Sequence, residues 1–144
     1  MTYLLDVNLL IALCDDYHAH HEAAHRWFRS AKTSSWATCP LTENGFVRIT
    51  SKSTYPGGHG SVWQQLDTLR DFCSLPNHTF WADDLSLLQA EAWLGADLVT
   101  PAHLTDLYLL ALAVKHGGRL ASFDRRVPAH FIRGGKEALQ ALPA

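Results

Sequence analysis

Short apolar runs rich in β-forming residues alternate with helix-period segments along this chain, and that alternation constrains the fold more than any other feature. Thr2–Val7 (TYLLDV), Trp36–Cys39 (WATC), Thr79–Ala82 (TFWA) and Arg119–Phe123 (RLASF) read as buried strands, with Phe131–Ile132 as a short last one. Between them, helices are expected over Leu9–Leu13 behind an Asn8 cap, over Ala19–Ala31, from a Thr42 cap through Ile49, and over Val62–Cys73. Two more are expected over Leu85–Leu94 and Thr105–His116, the latter apolar almost all round and stopped by Gly117–Gly118. Strands separated by helices imply an α/β fold with a small, mostly parallel sheet covered on both faces. The turn-rich Ser51–Gly60 (SKSTYPGGHG) is the best candidate for a mobile segment. There is no internal repeat, and 144 residues suit one domain over 1–144.

Composition removes several function classes. No apolar run reaches the ~18–20 residues that span a bilayer, and the N-terminus lacks the basic start of a secretory signal. Cys14, Cys39 and Cys73 are odd in number, without CxxC spacing, which argues against a disulfide scaffold and for a reducing cytoplasm. A net charge of −2 excludes gripping nucleic acid by bulk charge alone. The charge is nevertheless segregated. Residues 83–106 hold five acids and no Lys or Arg, while 115–136 hold six cations and one acid. That reversal can set a basic rim beside an acidic pocket.

Four acids stand where strands end or helices begin. Asp6 closes the first strand, Glu43 lies just inside the helix after the second, Asp106 sits in the first turn of the apolar helix, and Asp124 follows RLASF. Each has an ordinary reading as a cap or a partner of a helix dipole. Ligand sites of open parallel sheets, however, form beyond the carboxyl ends of the strands, where all four can converge. Clustered carboxylates raise one another's pKa or demand a cation, and oxygen-only ligands suit Mg²⁺ or Mn²⁺. Asn8, Thr42 and Ser122 are candidate supporting donors. Arg125 and Arg126, and more weakly Arg48 and Lys115, are candidates for anchoring flanking phosphates.

The segments LLDVN, TENGFVR, TDLYLLALA and LASFDRR resemble the four acidic motifs of PIN-domain nucleases, in the family's order and over nearly the whole chain. HAHHEAAHRWF and WATCP bring the likeness closer to the VapC-like toxins of bacterial toxin–antitoxin pairs. The resemblance implies a three-layer α/β/α sandwich and Mg²⁺- or Mn²⁺-dependent endoribonuclease activity on RNA, with tRNA or rRNA as substrate. It implies Asp6, Glu43, Asp106 and Asp124 as the metal-binding catalytic acids, supported by Asn8 and Ser122. It also implies a small VapB-like antitoxin as partner and a homodimer. Some members carry a further acid after the last motif; Arg125 and Arg126 stand there in this chain, which favours one ion over two.

Other features point elsewhere. HEAAH (His21–His25) matches the zinc-helix pattern H-E-x-x-H, but His59, His78 and His103 supply no recognised third-ligand spacing, so a solvated helix face is the expectation. Trp27, Trp36 and Trp81 fall in apolar patterns and are expected in the core, whereas Trp63 is left open for base stacking. A phosphoaspartyl phosphatase would want an acid at position 8, where Asn8 stands, and a late-strand lysine that is missing. A non-catalytic module that retains an acidic pocket is the alternative reading.

Overall fold

A computed structural model describes residues 1–31, 34–57 and 60–143. Five parallel strands form one sheet: β1 (Thr2–Leu5), β2 (Ser35–Thr38), β3 (His78–Phe80), β4 (Arg119–Ser122) and β5 (Leu139–Ala141), in the order β3-β2-β1-β4-β5. Alternate residues point to opposite faces. Leu4, Ala37 and Leu120 therefore join one apolar cluster, and Leu5, Trp36 and Ala121 the other. The first cluster is closed by α5 (Leu104–Lys115) and the short α6 (Gly135–Ala138). The second is closed by α1 (Val7–Cys14), α2 (His21–Ser30), α3 (Pro40–Thr50) and α4 (Val62–Cys73). These three layers are the expected α/β/α sandwich. Helix α5 is apolar all round because it is buried from Leu107 through Ala113.

The chain builds β1, β2 and β3 outward on one side, then returns to the other side of β1 to lay down β4 and β5. The crevice between the carboxyl ends of β1 and β4 is thus a topological switch point, the usual ligand position in such sheets. At the opposite end of β4, Gly118 packs so tightly that a Cβ there would lie 2.4 Å from the Thr2 carbonyl oxygen and 2.8 Å from the Trp81 ring.

Several local expectations are corrected. Asp6, not Asn8, caps α1, its Oδ1 accepting the Val7 N–H at 2.8 Å. Helix α3 starts at Pro40, suited to a first helical position, with Cys39 as cap; Thr42 accepts the Cys39 N–H and so closes the first turn from inside. Residues 85–94 form no α-helix, only a 3₁₀ turn at Ala90–Ala92. Asp83 and Asp84, at the start of that segment, are held by tertiary bonds from the Leu41 N–H and from Lys115 and His116. Phe131 ends a 3₁₀ turn, Ile132 makes only an isolated bridge to Trp93, and the last strand is β5. Gly58 and His59 of the turn-rich loop lie outside the described residues.

Candidate active site

Asp6 is the hinge of the acidic crevice. It is 6% exposed, because it must follow buried β1 and cap α1 in the same step. Its Oδ2 accepts the Ser122 hydroxyl at 2.7 Å, and Ser122 Oγ accepts the Asp124 backbone N–H at 3.0 Å. The end of β4 is thereby tied to the end of β1. Burial pushes the Asp6 carboxyl up, against the pull of Ser122 and the Val7 N–H, and the Asp124 charge pushes the same way. Asp124 is held low by the Arg126 backbone N–H, at 2.8 Å, and by the Arg126 guanidinium at 3.3 Å.

Asp106 reaches the same crevice from the first turn of α5, in the opposite layer. No hydrogen-bond donor is found on its carboxyl among the described residues. Burial first, then the charges of Asp6 and Asp124, push it up to about 6. The charge of His103, one turn earlier, pulls both Asp106 and Asp124 down. His103 Nδ1 is buried without a hydrogen-bond partner among the described residues. The sequence signal for this neighbourhood is the spacing of His103, three residues before Asp106 at the start of an apolar helix, rather than a zinc-ligand pattern.

Glu43 is oriented differently. Its Oε2 accepts the hydroxyl of fully buried Thr38, at the end of β2, at 2.7 Å, and Thr38 in turn accepts from His78 Nε2 at 2.8 Å. No Glu43 charge contributes to the shifts of the three aspartates. The structure therefore brings Asp6, Asp106 and Asp124 together and turns Glu43 toward Thr38. Thr42 is spent within α3, donating its hydroxyl to the Cys39 carbonyl at 3.0 Å. Arg48 lines a separate groove between α3 and α4, with Glu43, Leu66 and Cys73. Asn8, Arg125 and Arg126 line a cleft of about 820 Å³ that includes Asp124.

Three carboxylates in mutual repulsion, one of them without a donor, suit a hard divalent cation by charge and donor type. As they stand, no group of three or more His, Cys, Asp or Glu side chains among the described residues is arranged to hold a metal ion. What favours an ion here is chemistry, not a closed ligand shell.

The HEAAH histidines are not a solvated face. His21 Nδ1 donates to the Ala12 carbonyl at 2.7 Å and His25 Nε2 to the Leu13 carbonyl at 2.9 Å, so both cap the C-terminus of α1. Trp36 and Trp81 are buried as expected, Trp27 is half-buried, and Trp63 is exposed.

A family model for the PIN domain matches residues 3–131. Ribonuclease VapC39 of Mycobacterium tuberculosis is 43% identical over 124 residues, covering 86% of this chain and 89% of the relative. Ribonuclease VapC44 of the same organism is 40% identical over 143 residues, covering 99% and 100%. Among solved structures, M. tuberculosis VapC20, described as a sarcin-ricin loop cleaving toxin, superposes with a TM-score of 0.64 at 14% identity, covering 98% of this chain and 99% of that one. Rickettsia felis VapBC2, bound to a promoter DNA fragment, gives a TM-score of 0.62 at 15% identity, covering 99% and 100%. Both structural likenesses bear on the fold, and the two sequence relatives and the family match bear on descent: this chain belongs to the PIN-domain family, in its VapC branch.

Proposed function

We propose that this chain is a metal-dependent endoribonuclease toxin, hydrolysing RNA phosphodiester bonds at the acidic crevice and neutralised by a cognate VapB-like antitoxin. The observation that carries the reading is the grouping of Asp6, Asp106 and Asp124 at the switch point, where burial first and then the charges of Asp6 and Asp124 raise Asp106 to about 6. The ribonuclease names of the relatives support RNA as substrate, and the VapBC2 complex supports the antitoxin; tRNA or rRNA is the proposed class of substrate.

A bound Mg²⁺ or Mn²⁺ would offset the carboxylate repulsion, lower the pKa of a water and steady the leaving oxygen. Asp6, Asp106 and Asp124 would hold that ion, with Glu43 the fourth acid at this edge of the sheet. Ser122 fixes the Asp6 carboxylate through Oδ2, as the Val7 N–H does through Oδ1. Asn8, exposed on the first turn of α1, is placed to orient a phosphate oxygen. Arg125 and Arg126 flank the crevice and can fork to neighbouring phosphates. Attack of water on phosphorus breaks the bond to the 3′-oxygen, leaving a 5′-phosphate and a 3′-hydroxyl. The groove lined by exposed Leu87 and Leu104 with Trp93 and Val99 is an apolar surface that a homodimer can cover. A cytoplasmic location is part of the proposal; no helix among the described residues is long and apolar enough to cross a membrane.

The test is to incubate purified protein, freed of antitoxin, with total tRNA and rRNA in Mg²⁺ or Mn²⁺, beside an EDTA lane and Asp6→Ala. Discrete fragments with 5′-phosphates, lost in both controls, are expected. The open arrangement of the acids favours a second reading, a non-catalytic module with an acidic pocket. Uncut RNA in every lane, from a folded protein whose thermal midpoint ignores Mn²⁺, would select it.

A further inference from the structure

The cleft beside Asp124 contains aromatic rings that the acidic crevice does not use. His20 precedes α2 and Phe123 follows β4, yet their rings stand 5.0 Å apart at an interplanar angle of 33°. The His18 and His20 ring centroids are 5.7 Å apart, and His18 Nδ1 accepts the His20 backbone N–H at 3.0 Å, which fixes the turn that carries both. Phe123 is half-buried and anchored against the core cluster of α1–α4. His20, Phe123, Arg125, Arg126 and Asn8 all line the one cleft, of about 820 Å³, that also includes Asp124.

Rings, guanidinium groups and an exposed amide in one cleft match the parts of a nucleotide. A bare anion would need no ring wall, and an apolar ligand would need no arginines. Nucleobases stack on aromatic side chains, and only an unpaired base can turn its face to them. We propose that the His20–Phe123 ring pair is a stacking platform for an unpaired nucleobase next to the scissile phosphate, so that these two side chains hold the substrate by a base as well as by its backbone. The inference rests on the nuclease reading, since it takes the phosphate at Asp124 as the one attacked. His20 and Phe123 are positioning residues, and their effect belongs to substrate binding.

The test is fluorescence anisotropy of the full chain in EDTA at low salt, with two single-stranded probes of about twelve nucleotides: oligo(A) RNA and an abasic strand of equal charge. The unchanged protein is expected to bind oligo(A) about tenfold more tightly than the abasic strand. His20→Ala and Phe123→Leu should bring that ratio close to one while leaving abasic binding in place, and Phe123→Tyr should restore it. Leucine keeps the apolar anchor, and matched thermal midpoints exclude unfolding as the cause. Arg125→Ala should weaken both strands alike. A ratio that survives both ring variants, or an unchanged protein that does not distinguish the strands, overturns the platform. If the ratio follows the rings but metal-supplied protein leaves RNA uncut, the nuclease reading fails and the nucleobase site stands. If RNA is cut by a protein blind to the base, the platform fails alone.

Discussion

Ser122 donates its hydroxyl to Asp6 Oδ2 at 2.7 Å across 116 positions of sequence, joining the ends of β1 and β4 where the sheet reverses its order of construction. The Ser122 Oγ also accepts the Asp124 N–H, so one buried hydroxyl sets two of the clustered acids. Ser122→Ala leaves a buried carboxylate and a backbone N–H each short of a partner. It should cost about 1–3 kcal/mol in urea unfolding, with Asp6 pushed further up.

Asp106 ties stability to pH in an unusual direction. Its folded pKa of about 6 lies above the ordinary 3.8, so between those values the folded chain keeps a proton that the unfolded chain has lost. Stability from this group is therefore highest at low pH and falls as pH rises through about 6. Asp106→Asn should make the metal-free protein more stable than the parent at pH 7.5, by about 1 kcal/mol after solvent screening of a half-buried group. The gain should vanish by about pH 4. Paired denaturation curves of parent and variant across that range check it, because the shifts of His18 and His78 are common to both and cancel.

Arg126 pairs with Asp124 at the surface, its own side chain 88% exposed. Arg126→Ala should change stability by less than about 0.5 kcal/mol, since exposed pairs contribute little and the backbone N–H to Asp124 remains. RNA binding should weaken, and the slope of log K against log salt should fall by about 0.7 if the guanidinium contacts a phosphate. An unchanged slope would remove Arg126 from the interface.

His25 caps the Leu13 carbonyl from the next helix. His25→Ala should lower stability by about 1 kcal/mol with or without zinc, which thermal denaturation in EDTA and in Zn²⁺ resolves. Destabilisation confined to the zinc sample would return HEAAH to a metal role.

The parts of this fold legible in the sequence were those where local pattern and tertiary demand agree. Val62–Cys73 carries a serine cap and helical spacing, and it forms α4 with the same bounds. Asp6 and Asp124 follow apolar strands, and strand-end logic alone led to the crevice they share. Residues 85–94 misled because their apolar positions share no one buried face: Leu85 and Trp93 pack against the core, whereas Leu88 is 92% exposed, and Asp83 and Asp84 are drawn into bonds with other elements. The last strand was hidden because KEALQALPA is made largely of helix formers, a preference overridden by pairing with β4. The orientation of Glu43 was not legible either. Position in the chain brings it to the carboxyl end of β2, but its partner is decided by the buried hydroxyl of Thr38. The histidines read as a polar face because nothing local shows that α2 folds back over the carbonyl end of α1.

The most direct measurement is a calorimetric titration of Mn²⁺ into the metal-free, antitoxin-free protein near pH 6, where Asp106 is part-protonated. The expected result is one binding event accompanied by proton release, seen as a dependence of the heat on buffer ionisation, and abolished in Asp106→Asn. No binding, or binding unchanged in Asp106→Asn, would contradict an aspartate cluster built to hold a catalytic cation.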